Sequence, residues 1–105
     1  MWWATKWWQK KTKAELINVA NIEIYTSWSC GYCAMAKRLL KSKNVEFTEI
    51  SVDGKSDVRA TMMKRADGRR TVPQIFIDGT GVGGFDDINA LDRKGQLDPM
   101  IGVSG

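Results

Sequence analysis

Apolar residues recur along the chain in two patterns, short apolar runs and longer runs with helical spacing. The short runs predict four β-strands, at residues 22–25, 45–52, 75–77 and 81–83. The helical spacing predicts helices over residues 33–43 and 57–66, and a last helix that Asp86 or Asp87 caps and that runs through Ile88, Leu91 and Leu97. The order β-α-β-α-β-β-α indicates the α/β class.

The first 19 residues depart from this pattern. Trp2, Trp3, Trp7 and Trp8 stand there in two pairs among lysines. We therefore divide the chain into a Trp/Lys-rich N-terminal extension, residues 1–19, and one domain, residues 20–105. Three interpretations of the extension stay open: a disordered leader or leftover of expression, a segment that docks on a protein surface, and a short helix at a membrane surface.

The net charge of +4 is concentrated near the N-terminus. Residues 1–21 hold four lysines against one glutamate, so they carry +3 and leave about +1 for the rest of the chain. A domain with so little excess charge is not expected to bind nucleic acid. No apolar run approaches the roughly 20 residues that span a bilayer, and the N-terminus has no apolar secretory signal. We therefore expect a cytoplasmic protein without a membrane span, and the surface helix considered for the extension is the one membrane contact left open.

The candidate chemistry is concentrated in Cys30-Gly31-Tyr32-Cys33, which holds both cysteines of the chain. The pair lies between the first predicted strand and the first predicted helix, so Cys30 falls at the N-terminus of the helix. There the free N–H groups and the helix dipole stabilise a thiolate, the form that attacks disulfides. The motif predicts a catalytic pair, with Cys30 as the nucleophile and Cys33 as the resolving thiol.

Three other interpretations of the pair are weaker. A structural disulfide between cysteines this close closes a tiny loop and adds little stability. A structural zinc site takes four ligands, whereas the chain has no histidine and no third cysteine. Two core cysteines would have this spacing only by coincidence. The motif therefore favours redox chemistry in a reducing compartment.

Three more segments accompany the cysteine motif in a fixed order. Residues 22–26 precede it, and Thr71-Val72-Pro73 and then Gly83-Gly84-Phe85-Asp86-Asp87 follow it. In this order the segments resemble those of the glutaredoxins, most closely the small dithiol class of bacterial type, over roughly residues 20–101. The resemblance implies a thioredoxin-like fold, a four-stranded mixed sheet flanked by helices.

The resemblance also implies a groove for glutathione beside the cysteines. Tyr32 would pack beside the tripeptide. Val72, before a cis-Pro73, would offer it a backbone N–H and C=O, as if adding a strand. The implied glutathione contacts are, in full, Tyr32, Arg70, Thr71, Val72, Pro73, Gly84, Phe85, Asp86 and Asp87.

The two ends of glutathione would meet different charged groups. The N–H groups of Phe85 and Asp86, at a helix N-terminus, would bind the γ-glutamyl carboxylate, and Asp87 would bind the γ-glutamyl ammonium. Arg69 or Arg70 would pair with the glycyl carboxylate. Simpler interpretations stay open, in which Asp86 is only a helix cap and the two arginines belong to a solvated loop.

The implied function is a glutathione-dependent thiol–disulfide oxidoreductase, a monomer whose partners are glutathione and disulfide-bonded or glutathionylated proteins. The alternative is a homodimer that binds a [2Fe-2S] cluster, with Cys30 of each chain and two glutathiones as ligands. A thioredoxin-type reductase independent of glutathione is a third interpretation, against which the Gly83-Gly84 segment argues.

Two positions depart from the family pattern, and one neighbouring residue stays ambiguous. Ser27 stands where members commonly have a lysine, and Lys37 is the candidate substitute for that charge. Gly31 stands where a proline is common, and in the family such variants sometimes bridge a cluster between two protomers. Trp28 is expected either at the rim of the groove or in the core.

Overall fold

The computed structural model describes residues 20–102, so the predicted N-terminal extension lies outside the described residues. Eight elements follow one another along the described chain. In order they are β1 (Ile22–Thr26), α1 (Gly31–Ser42), β2 (Thr48–Ser51), α2 (Ser56–Arg65), β3 (Gln74–Ile77), β4 (Thr80–Gly83), α3 (Phe85–Arg93) and α4 (Leu97–Ile101).

The four strands form one mixed sheet in the order β2-β1-β3-β4. β1 pairs with β2 in parallel, through the crossover helix α1, and pairs with β3 antiparallel. The β3–β4 hairpin turns at Asp78 and Gly79, which both have positive φ angles, as a two-residue hairpin turn requires. The predicted four-stranded mixed sheet is confirmed.

Side chains of the two central strands alternate between two apolar clusters, one on each face of the sheet. The larger cluster joins β1 and β3 to the helices α1, α3 and α4, and its buried residues are Ile22, Ile24, Ala36, Leu40, Ile75, Ile77, Ile88, Leu97 and Ile101. The smaller cluster lies on the α2 face and contains Tyr25, Val52, Met62, Ala66 and Phe76. β1 and β3 are therefore held from both sides, which fixes the loops at their ends.

The predicted last helix is two helices in the structure. α3 ends at Arg93, and Gly95 has φ +72°, a left-handed conformation that interrupts the helix before α4 begins. The predicted N-cap is also wrong. Gly84 occupies that position, while Asp87 lies in the first turn and accepts a hydrogen bond from the Gly84 N–H at 2.9 Å.

β2 is shorter than the predicted strand at residues 45–52. Val45 and Phe47 precede the strand as partly buried residues packed against the larger cluster. Val52 follows it, and its N–H donates to the Thr26 carbonyl at 2.9 Å. The apolar residues on both sides of the strand are thus explained by packing from loops, which the hydrophobic pattern does not distinguish from strand pairing.

Two charged groups tie the helices to the rest of the domain. Lys43, at the end of α1, contacts Asp92 of α3 and Asp98 of α4 at 2.5 and 2.8 Å. The carboxylates, first Asp92 and then Asp98, raise the pKa of Lys43 above its usual value. These contacts fix the end of α1 opposite the cysteines.

Arg65, the second of these groups, joins α2 to the sheet. Its guanidinium donates to both carboxylate oxygens of Glu23, at 2.7 and 3.4 Å, and to the Tyr25 hydroxyl at 3.0 Å. It also lies over the ring of Phe76, at 4.1 Å from the ring centroid.

Among residues 20–102 no helix is long and apolar enough to cross a membrane.

Candidate active site

The cysteine motif lies where β1 passes into α1. Cys30 is the N-cap of α1, with φ −100° and ψ 110°, and its Sγ accepts a hydrogen bond from the Cys33 N–H at 3.0 Å. A turn in which the Cys30 N–H donates to the Ser27 carbonyl at 3.2 Å precedes the helix. The predicted placement of Cys30 at the helix N-terminus is confirmed, and a negative charge that develops on its sulfur has a backbone donor in place.

The two thiols have different surroundings. Both are free, but Cys30 is partly exposed, whereas the side chain of Cys33 is buried, with 1% of its surface accessible. Burial, and then its hydrogen bond to Cys30, raise the pKa of the Cys33 thiol to about 12, although the charge of Lys37 acts in the opposite direction. Cys33 therefore keeps its proton at neutral pH beside an accessible Cys30.

The segment before β3 forms one wall beside Cys30. The Val72–Pro73 peptide is cis, as the resemblance implied, and the Val72 carbonyl accepts a hydrogen bond from the Cys30 thiol at 3.5 Å. Gly84 packs against this wall, since a Cβ at Gly84 would lie 3.2 Å from the Pro73 carbonyl oxygen. The neighbouring Thr71 is exposed, and its hydroxyl accepts from the amide of buried Gln74 at 3.3 Å.

An aromatic pair joins the start of α1 to the start of α3. The rings of Tyr32 and Phe85 are stacked, with centroids 6.4 Å apart and an interplanar angle of 26°. Tyr32 remains largely exposed on its other side. The contact brings the first turn of α3 next to the cysteine motif, so the two helix N-termini lie side by side.

A carboxylate lies in that first turn of α3. Asp87 Oδ2 accepts from the Gly84 N–H at 2.9 Å and from Arg69 Nη2 at 3.5 Å, and its neighbour Asp86 is exposed. Gly83 makes room for this carboxylate, because a Cβ at Gly83 would lie 2.1 Å from Asp87 Oδ2. Of the two arginines considered from the sequence, Arg69 is thus the one that contacts the site.

Arg70 takes part in a different contact. Arg70 is exposed, and its backbone carbonyl accepts a hydrogen bond from Arg59 Nη1 at 2.7 Å. The structure therefore brings together the cysteines, Val72, Pro73 and the start of α3, and it gives Arg70 no contact with Asp87. The bond from Arg59 of α2, which steadies this loop, was not expected from the sequence, because nothing in the pattern relates α2 to residue 70.

Sequence reasoning also missed a carboxylate that holds the loop before Cys30. Asp53 accepts from the Ser27 hydroxyl at 2.7 Å and from the Trp28 N–H at 2.9 Å. These bonds, the Ser27 bond first, lower the pKa of the Asp53 carboxyl. Nothing in the hydrophobic pattern singles out Asp53 for this role. Trp28 itself is exposed, which excludes the expected alternative of a position in the core.

The departure at Ser27 is accompanied by a charge on α1. Lys37, one helical turn after Cys33, contacts Glu49 of β2 at 2.9 Å, and Glu49 also accepts from the buried Thr26 hydroxyl at 2.7 Å. Thr26 and then Lys37 lower the pKa of the Glu49 carboxyl. A positive charge therefore lies beside the cysteine pair, and Glu49 holds it.

Known proteins relate this site to one family. The family model described as Glutaredoxin matches residues 22–82, which contain the cysteine motif and the cis-proline segment. The chain belongs to the glutaredoxin family. It is 54% identical over 83 residues to Glutaredoxin 3 of Escherichia coli strain K12. These aligned residues cover 79% of this chain and 99% of that protein. Glutaredoxins are thiol–disulfide oxidoreductases, and Cys30 and Cys33 form the redox centre of this one.

Solved glutaredoxin structures have the same fold. A crystal structure of a buckwheat glutaredoxin–glutathione complex matches with a TM-score of 0.72 and 30% identity, over 85% of this chain and 86% of that one. The solution structure of glutaredoxin from Brucella melitensis matches with a TM-score of 0.71 and 45% identity, over 80% and 90% of the two chains. The thioredoxin-like fold implied by the sequence is thereby confirmed.

In the cluster-binding alternative, Cys30 of each of two chains and two glutathiones would be the ligands. Within residues 20–102 no three side chains of His, Cys, Asp or Glu are grouped to hold a metal ion. Cys30 is partly exposed and Cys33 is buried, so this part of one chain offers a cluster a single accessible thiol. The arrangement does not favour the [2Fe-2S] alternative over thiol chemistry.

Proposed function

We propose that this glutaredoxin uses glutathione to reduce protein disulfides and mixed disulfides between proteins and glutathione. The observation that supports this proposal most directly is the asymmetry of the two thiols. Cys30 is accessible at a helix N-terminus with a backbone donor on its sulfur, and Cys33 is buried with its proton retained. One thiol is thus arranged to attack a substrate and the other to act only after a disulfide has formed next to it.

On a glutathionylated protein, Cys30 alone completes the reaction. Its thiolate attacks the sulfur of glutathione, a bond forms between Cys30 and glutathione, and the protein leaves as a thiolate that takes up a proton. The thiolate of a second glutathione then attacks the bound one, releases glutathione disulfide and restores the Cys30 thiolate. The proton that this second glutathione loses balances the one taken up by the protein.

On a protein disulfide, both cysteines take part. Cys30 attacks one sulfur and forms a mixed disulfide, and the other substrate sulfur leaves as a thiolate. Cys33 then attacks Cys30, which releases the second substrate sulfur and leaves a Cys30–Cys33 disulfide. As this bond forms, we infer that the proton of the buried Cys33 thiol goes to the departing thiolate. Two glutathiones then reduce this disulfide in two successive exchanges, restore the dithiol and leave as glutathione disulfide.

The proposed glutathione groove runs from the cis-proline wall to the start of α3. Val72, Pro73 and Thr71 would line the backbone of the tripeptide, with Tyr32 beside it. Both hydrogen bonds of Asp87 described above go to Oδ2, so its Oδ1 is the proposed acceptor for the γ-glutamyl ammonium. The glutathione complex of the buckwheat relative supports a groove for this ligand.

The remaining groove contacts are proposed from position. The N–H groups of Phe85 and Asp86 belong to the first turn of α3, where they have no partner within the helix and suit the γ-glutamyl carboxylate. Gly84 would allow close approach of the ligand. Arg69 contacts Asp87, at the end of the groove proposed for the γ-glutamyl group, so this contact does not decide between Arg69 and Arg70 as the partner of the glycyl carboxylate. The requirement for reduced glutathione agrees with the expected cytoplasmic location and monomeric state, which stay predictions.

Two serine variants test the proposal. Cys30→Ser should lose activity on both substrate types, because both reactions begin at this sulfur. Cys33→Ser should keep the reduction of a glutathionylated peptide and lose the reduction of a stable protein disulfide. Both activities can be followed by coupling glutathione disulfide formation to glutathione reductase. Retention of activity in Cys30→Ser, or loss of both activities in Cys33→Ser, would contradict the assigned roles.

A further inference from the structure

Exposed apolar side chains are concentrated beside the cysteine motif. Among residues 20–102, the large apolar side chains that are exposed are Trp28, Tyr32 and Met35, with 88%, 59% and 42% of their surfaces accessible. Tyr32 and Met35 are i, i+3 neighbours on α1, and Trp28 lies just before that helix. Tyr32 stacks on Phe85 at the start of α3, whereas Trp28 and Met35 are exposed residues that the proposed groove does not use. We call Trp28 and Met35 the Trp28 patch.

The backbone under the indole is fixed. Asp53 accepts from the Trp28 N–H at 2.9 Å and from the Ser27 hydroxyl at 2.7 Å, and it also accepts from the Ser51 hydroxyl at 3.2 Å. The carbonyl of Ser27 in turn accepts from the Cys30 N–H. The tryptophan is therefore displayed by an ordered loop, and little backbone order remains to be imposed when a partner binds.

The chemistry of Cys30 determines what approaches this patch. In the reduction of a protein disulfide, Cys30 bonds directly to a cysteine sulfur of the substrate. In the reduction of a glutathionylated protein, the departing cysteine sulfur is one disulfide bond farther away. In both reactions the residues next to the substrate cysteine are brought close to Trp28, two residues before the nucleophile. An apolar side chain there stabilises the complex by covering the indole, because burial of apolar surface is favourable.

We propose that the Trp28 patch binds apolar side chains that flank the reacting cysteine of a polypeptide substrate. This inference rests on the proposed function and adds a substrate preference to it. The glutathione groove uses Tyr32, the cis-proline wall and the start of α3, none of which contacts Asp53. The patch and the groove thus select for different parts of one glutathionylated protein, the polypeptide and the tripeptide.

Two glutathionylated pentapeptides test the preference in the full chain. One has leucine on both sides of the modified cysteine and the other has serine. We expect the wild-type protein to have a kcat/KM about fivefold higher for the leucine peptide, the effect of covering part of one large apolar side chain. In Trp28→Ala the ratio should fall to near one, while the kcat/KM for the serine peptide stays unchanged. Trp28→Phe, the matched control, should keep most of the preference.

The outcomes separate this inference from the proposed function. An unchanged peptide ratio in Trp28→Ala, or no preference in the wild-type protein, would overturn the role of the patch while leaving the activity in place. A wild-type protein inactive on both peptides would instead overturn the proposed function. The other occupant to test is a second copy of the chain on the Trp28 patch. Sedimentation of the wild-type protein and of Trp28→Ala tests it. A dimer that the substitution dissociates would assign the patch to a second copy of the chain and contradict the proposal.

Discussion

Gly83→Ala is a sharp test of how the fold supports the start of α3. Gly83 has φ +104°, a conformation that L-residues rarely adopt, and it is followed by the Gly84 N-cap. An added Cβ would lie 2.1 Å from Asp87 Oδ2 and 2.6 Å from its Cγ, so the carboxylate has to move. The substitution should therefore both strain the backbone and break the hydrogen bond from the Gly84 N–H to Asp87.

The magnitude can be divided between these two effects. A non-glycine residue held in such a conformation costs about 1–3 kcal/mol. Loss of the bond to a half-exposed carboxylate adds about 1 kcal/mol. We expect Gly83→Ala to lower the free energy of unfolding by about 2–4 kcal/mol. Gly79→Ala is the matched control, because Gly79 has φ +82° but no atom lies within 4 Å of its added Cβ. Backbone strain alone should lower stability there by about 1–2 kcal/mol.

Urea denaturation followed by tryptophan fluorescence measures both variants, with the midpoint and slope reported separately. The double variant Gly83→Ala/Asp87→Ala removes the clashing carboxylate. Its loss of unfolding free energy should therefore be smaller than the sum of the losses in Gly83→Ala and in Asp87→Ala. Two results would refute the reasoning about the Asp87 carboxylate. One is a Gly83→Ala variant destabilised no more than Gly79→Ala, and the other is a double variant whose loss equals the sum of the Gly83→Ala and Asp87→Ala losses.

Two more predictions concern the charged ties between elements. Arg65→Lys should lower the free energy of unfolding by about 1–2 kcal/mol, because lysine replaces neither the paired bonds to Glu23 nor the stack on an aromatic ring. Its activity should not change. Urea denaturation measures the stability, and the coupled assay measures the activity. Lys43 has its pKa raised by Asp92 and Asp98, so its contribution to stability is full below the unfolded pKa of roughly 10.4 and is lost as the pH rises above it. The difference in melting temperature between the wild-type protein and Lys43→Met should therefore shrink at strongly alkaline pH, and a constant difference would contradict the assignment.

The fold was largely predictable because its central elements have strong local patterns. The apolar run at β3 and the helical spacing within residues 33–43 indicated their elements directly. The last helix was less predictable. Gly95 weakens a helix in any sequence, but whether it ends one depends on how the following residues pack, and here they form α4 against the larger cluster.

The site was predictable where its residues are adjacent in sequence or belong to a known motif. The N-terminal position of Cys30 followed from the strand and helix around it, and the cis peptide at Pro73 followed from the resemblance. The hydrogen bonds of Asp53 and Glu49 did not follow, because they join β2 and the loop after it to residues more than 20 positions earlier. Only the parallel pairing of β1 with β2 brings these groups together.

The most direct test of the account is to identify the first covalent intermediate. Cys33→Ser protein is mixed with an equimolar glutathionylated peptide, without free glutathione, and the reaction is stopped with acid for intact-mass and peptide-mass measurement. The account predicts that the protein gains one glutathione, attached at Cys30, and that the free peptide is released in equal amount. An adduct between Cys30 and the peptide itself, or no adduct at Cys30, would contradict it.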